Sequence, residues 1–120
     1  VQTQPEIEID LEINLRSITQ RLFRILKQFA PFGPDNSVPV FCSSRMIGTE
    51  DVRVVGSNHL KLSVVSREIP SFPYKCIGFG MGEYYDEINK GSVFDICYQI
   101  DENTYNGQSY LQLNLKDIHF

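Results

Sequence analysis

The amino-acid sequence predicts a mainly β fold: an OB-like small β-barrel with one short helix, preceded by an N-terminal strand and a connecting α-helix. Three observations predict it. From Pro39 onward, short runs rich in β-branched and aromatic residues follow at close spacing, punctuated by glycine and asparagine turn signals. One helical pattern, EYYDEINKG, interrupts them late in the run. Ahead of them, a strictly alternating segment gives way to one of helical period. Short strands in that number with a single late helix favour a closed or nearly closed barrel, with a β-sandwich as the alternative.

The elements follow in order. In PEIEIDLEINL, Ile7, Ile9, Leu11, Ile13 and Leu15 point one way and the acids the other, the period of a half-buried strand. SITQRLFRILKQF places Ile18, Leu22, Ile25, Leu26 and Phe29 at helical spacing. Ser17 is the expected N-cap, with Gln20 at the capping-box position. Pro31 disfavours helical geometry at Ala30 and stops the helix there. The stretch FAPFGPDNSVPVF then reads as an elbow. Gly33-Pro34-Asp35-Asn36 has turn composition, and Phe29, Phe32, Val38, Val40 and Phe41 can bury together around it.

PVFCSSRMIG, DVRVVG and HLKLSVVSR are the next strands, the last with Leu60, Leu62 and Val64 on one face and His59, Lys61 and Ser63 on the other. YKCIGFGMG is a fourth, whose glycines predict a bulge or sharp bend. EYYDEINKG ends at Gly91, a natural C-cap. SVFDICYQI and SYLQLNLKDI complete the set, joined through DENTYNGQ with its Asn-Gly hairpin signal. Tyr98 alternates with Phe94, Ile96 and Ile100 and is expected in the core. Asn36, Asn103 and Gly107 are expected to serve turn geometry.

A chain of 120 residues is about one domain's worth, long enough to bury one real core. No apolar run approaches the ~20 residues needed to cross a bilayer, so no membrane role is expected. Cys42, Cys76 and Cys97 lack CxxC spacing and lie in apolar runs, which reads as buried free thiols in a reducing, cytoplasmic compartment. With only His59 and His119 as distant histidines, no metal site is expected. Net charge is −4, which opposes strong non-specific nucleic-acid binding by the whole chain. The charge is uneven, however: residues 45–75 hold five cations against three anions. The absence of an initiating methionine and the strand-like start read as a piece of a longer protein.

LKQFAPFGPDNSVPVF, GSNHLKLSV, IGFGMG and YQIDENTYNGQSYLQLNLKDI, in that order, resemble the C-terminal region of the RecJ single-strand-specific DNA exonuclease family. The resemblance runs from about Pro5 to Ile118, with Tyr105 standing where many relatives have tryptophan. It implies that residues 1–38 are the end of a preceding nuclease-associated domain plus a connecting helix and elbow, and that residues 39–120 are the OB-like barrel. It also implies a non-catalytic single-stranded-DNA-binding and positioning domain of a 5′ to 3′ exonuclease of DNA repair and recombination. The DHH-type motifs that bind manganese or magnesium in that family lie upstream, and Asp117-Ile118-His119 is not a match to them. No catalytic residue and no cofactor are therefore assigned to this chain.

Single-strand binders combine a cationic groove with aromatic platforms. Arg53, His59 and Lys61 share one face if their strands pair as a hairpin, and Tyr105 and Tyr110 are the stacking candidates. Arg45, Arg67 and Lys75 sit near strand ends, and the first two complete the candidate set. The alternative function is a protein-interaction or scaffold module. It would dock the catalytic core of the same chain, or recruit an acidic peptide such as the tail of a single-strand-binding protein. A stand-alone enzyme lacks support: the sequence offers no nucleophile–base pair, metal-ligand cluster or phosphate loop.

Overall fold

A computed structural model of the protein describes residues 11–30, 32, 38–69 and 72–120. The strands are β1 (Leu11–Glu12), β2 (Phe41–Gly48), β3 (Arg53–Val55), β4 (His59–Ser66), β5 (Tyr74–Gly78), β6 (Phe94–Tyr105) and β7 (Gln108–His119). Helix α1 spans Gln20–Lys27 and α2 spans Tyr85–Asn89, each led into by a short 3-10 turn, Leu15–Ser17 and Gly82–Tyr84.

The sheet closes because β2 has two partners. Its first half pairs antiparallel with β6 (Phe41↔Tyr98, Cys42↔Cys97, Ser43↔Ile96), and its second half with β4 (Met46↔Ser66, Ile47↔Val65, Gly48↔Val64). The switch falls at an irregularity between Ser43 and Met46, where Arg45 takes a positive φ of 61°. Such a bulge bends a strand and lets it serve two sheets. With β4–β5 antiparallel, β5–β7 parallel and β7–β6 antiparallel, the ring β2–β4–β5–β7–β6 is complete. That is the five-stranded barrel of the OB fold. β3 is added to the outside of β4, and β1 pairs parallel with β2 (Leu11↔Phe41).

The core is the inward half of each alternation: Leu60, Leu62 and Val64 from β4, Phe94, Ile96, Tyr98 and Ile100 from β6, and Leu113 and Leu115 from β7. Ile88 of α2 enters it close to Gly48, where a Cβ would stand 2.7 Å from the isoleucine Cγ2. Leu15 and Ile18 join the same core from ahead of residue 39. Ser43, fully buried, donates to the Ile13 carbonyl at 2.6 Å. Its one proton is spent there, so Tyr98 Oη donates to Ser43 Oγ at 2.8 Å. Tyr74 Oη donates to the Ile18 carbonyl at 2.6 Å. The segment leading into α1 is thus fastened to the barrel by core packing and two tyrosine-linked hydrogen bonds.

Three expectations are corrected. Thr19, not Ser17, caps α1, its Oγ1 accepting from Leu22 N at 3.1 Å, while Ser17 lies in the 3-10 turn. On α1 the packed side chains are Leu22, Phe23 and Leu26, while Ile25 and, past the end of the helix, Phe29 are exposed. The bulges fall in β2 and between Cys97 and Tyr98, whereas β5 simply ends at Gly78 before its glycine-rich turn. Part of the predicted elbow, including Asn36, and the start of the N-terminal strand lie outside the described residues.

Candidate nucleic-acid interface

The cationic residues are placed by register. Arg53 pairs directly with Lys61 across β3 and β4, and Lys61 with Ile77 and Ser63 with Lys75 across β4 and β5. Paired residues share a face, so Arg53, Lys61 and Lys75 all project from the outside of the barrel while Leu60, Leu62 and Cys76 go in. Among the described residues neither the Lys61 nor the Lys75 side chain has a hydrogen-bonding or ion-pair partner. Arg53 is more restrained: its Nη1 donates to the Asp51 carbonyl at 2.8 Å and lies 3.9 Å from the Asp51 carboxylate.

That carboxylate is already occupied. Asp51 Oδ1 accepts from Thr49 Oγ1 at 2.6 Å and from Ser63 N at 2.8 Å, and Oδ2 accepts from Ser63 Oγ at 2.8 Å. Burial works to raise its pKa, but hydrogen bonds from the Thr49 and Ser63 side chains and the Ser63 amide, with Arg53 nearby, hold it below the ordinary aspartate value.

The aromatic wall is the β6–β7 hairpin. The expected loop DENTYNGQ is shorter than its composition suggests: strand pairing runs out to Tyr105↔Gln108, leaving only Asn106 and Gly107 to turn, at φ of 51° and 76°. Tyr105 is therefore the last residue of β6 rather than a loop residue. Asn103 is likewise in the strand, opposite Tyr110, and its Nδ2 donates to Gln112 Oε1 at 2.6 Å instead of capping a turn. By alternation Asn103, Tyr105, Tyr110 and Gln112 share the outer face. Tyr105 is 70% exposed and Tyr110 49%. Lys61, Lys75, Asn103, Tyr105, Tyr110, Leu111 and Gln112 line one open groove of about 450 Å³. A smaller recess of about 70 Å³, bounded by Asp51, Arg53, Lys61, Lys75 and Gln112, adjoins it.

The structure thus gathers Arg53, Lys61, Tyr105 and Tyr110 and adds Lys75 and Gln112. The sequence placed Lys75 only near a strand end, and the Ser63↔Lys75 register is what puts it beside Lys61. His59 lies on the same side of β4, and its Nδ1 accepts from Gly80 N at 3.1 Å, so that nitrogen carries no proton. It holds a turn. Arg45 and Arg67 are at the opposite end of β4: the Arg67 amide donates to the Arg45 carbonyl, and Arg45 pairs with Glu68. They lie about 15–20 Å from Lys61 along the strand. Among the described residues no three His, Cys, Asp or Glu side chains gather as a metal site.

Residues 9–117 match the family model described as RecJ OB domain. The chain is 30% identical over 115 residues to the single-stranded-DNA-specific exonuclease RecJ of Bacillus subtilis (strain 168), a match that covers 94% of this chain and spans 14% of that protein's length. The crystal structure of the mitochondrial single-stranded DNA binding protein Rim1 from S. cerevisiae is similar with a TM-score of 0.47 and 21% identity, covering 69% of this chain and 95% of that one.

Proposed function

The chain belongs to the RecJ OB domain family, and on that premise we propose that it binds single-stranded DNA and positions it for a RecJ-type 5′ to 3′ exonuclease of DNA repair and recombination. The metal-dependent chemistry, with manganese or magnesium, resides outside this chain, in a cytoplasmic protein of which this is one part.

The observation that carries the proposal is the groove in which the unpaired Lys61 and Lys75 face the exposed rings of Tyr105 and Tyr110. OB folds bind oligonucleotides on the face of their second and third barrel strands and on the loops that flank it. Here those strands are β4 and β5, and the flanking pieces are the β3 hairpin and the Asn106-Gly107 turn. Phosphates would lie over the lysines and bases against the tyrosines, each stacked base contributing about 1–3 kcal/mol.

Fluorescence anisotropy of a labelled oligothymidylate at a series of salt concentrations tests this. Affinity should fall with salt, and Lys61→Ala and Lys75→Ala should each flatten the logarithmic slope by about 1. Absence of binding at low salt would overturn the reading.

A second reading has its own observation. Leu11 is 54% exposed and Ile25 44%, apolar side chains on β1 and α1 suited to docking the rest of a longer protein. An acidic tail, such as that of a single-strand-binding protein, would instead compete for Lys61 and Lys75. Displacement of the oligonucleotide by an acidic peptide distinguishes that partner from core docking.

A further inference from the structure

Beyond β5, Phe79 stands out on the barrel's outer face, 61% exposed. The register Leu60↔Gly78 puts it level with His59, two residues along β4 from Lys61 and on the same side. Its ring meets the His59 imidazole edge-on, with centroids 5.4 Å apart and planes at 74°. The turn that carries it is pinned at several points. Gly80 N donates to His59 Nδ1 at 3.1 Å, Asn58 Nδ2 donates to the Gly80 carbonyl at 3.2 Å, and Gly82 N donates to the Asn58 carbonyl at 3.1 Å. A Cβ at Gly82 would lie 2.3 Å from Asn58 Oδ1, so the turn sits against Asn58 with no slack.

A large exposed aromatic usually carries a cost in lost burial. This one is instead held rigidly at the end of the row Lys75, Lys61, His59. We infer that Phe79, braced by His59, is a second base-stacking platform, so that the nucleic-acid track runs from Tyr105 and Tyr110 across both lysines to Phe79. The inference rests on the proposed single-stranded-DNA function. Continued past the end of β5, the parallel register Cys76↔Leu113 sets Tyr110 level with residue 73, six residues before Phe79 along the chain. The two platforms are thus about 20 Å apart along the sheet. A strand touching both would cover at least about four nucleotides, the lower end of what one OB fold occupies.

Phe79→Ala, Phe79→Leu and Phe79→Trp separate stacking from mere apolar bulk. On an oligothymidylate of about ten nucleotides, the alanine and leucine variants should bind about ten-fold more weakly, with an unchanged salt slope, because stacking releases no counterions. The tryptophan variant should bind at least as well as the parent. The chain has no native tryptophan, so this variant also carries a single fluorophore whose emission a stacked base should quench. Parental affinity in Phe79→Ala, or unquenched emission at saturating oligonucleotide, would overturn the inference. If Lys61→Ala were weakened under the same conditions, the function proposed above would stand. Failure of the parent chain to bind any oligonucleotide would remove both.

Discussion

Asp51 sets how positive the groove is. Its carboxylate sits beside Arg53 and its hydrogen bonds go to Thr49 and Ser63, so it forms no ion pair with Lys61 or Lys75 and acts on them only through its charge. Asp51→Ala would leave the amide of the buried Ser63 without an acceptor, at a cost of about 1–3 kcal/mol. Asp51→Asn keeps one acceptor and removes the charge. It should cost less stability in a thermal melt and raise oligonucleotide affinity a few-fold at low salt. Asp51 also gives a pH dependence with a definite sign. Its native pKa lies below the ordinary 3.8, so its stabilising effect is present above that value and is lost as pH falls through the native one. The asparagine variant should lack that part of the acid transition. Little of this could be read from the sequence. Alternation put Lys61 outward and Leu60 inward, as found, but Ser63 is twelve residues from Asp51 and only the β3–β4 fold brings them together.

At the scale of elements, the β6–β7 hairpin supports the aromatic wall. Asn106 and Gly107 both take positive φ, the requirement of a two-residue turn that matches strand twist. Gly107→Ala should lower stability by about 1 kcal/mol, read as an earlier urea midpoint. It should also weaken oligonucleotide binding, because Tyr105 and Tyr110 lie directly beside the turn. The Asn-Gly signal placed this hairpin correctly, but polar DENT masked the fact that the strands continue to its tip. Residues Asp101 to Thr104 pair with β7 because that edge is solvated, where hydrophilic side chains can alternate without penalty. The helix cap shows the same limit. Ser17 and Thr19 are both chemically able to cap, and burial of Ile18 between them decides where the helix starts.

For the molecule as a whole, the succession of short strands and the small-barrel class were legible because several β segments alternate and the late helix is separate in pattern, whereas the double pairing of β2 that closes the ring was not. Nor was it legible how the leading segment is held, since nothing local predicts that Leu15, Ile18 and the Ile13 carbonyl complete the barrel's interior. Burial also governs the pH range. Of the three cysteines expected to be buried only Cys76 is, in the core with Tyr98; Cys42 and Cys97 pair across β2 and β6 half-buried, because Ser43, Ile96 and Tyr98 take the inward positions there. Burial is the leading cause that pushes all four protons on more tightly, with the Cys42 thiol pushed up to about 12 from an ordinary 9.0. The folded state therefore holds protons that the unfolded chain releases. Stability is fully present below about pH 9 and is withdrawn as pH rises from there toward the native values. The melting temperature should stay level across neutral pH and drop by several degrees between about pH 9 and 11. Cys42→Ser, which cannot ionise there, should reduce that drop. Native Cys42 should also react slowly with iodoacetamide at neutral pH, and its rate should still be climbing at pH 10, where an unfolded thiol has levelled off. A melting temperature unchanged to pH 11, or a native labelling rate that levels near pH 9, would show that burial does not hold these protons, neither on Cys76 and Tyr98 in the core nor on the half-buried Cys42 and Cys97.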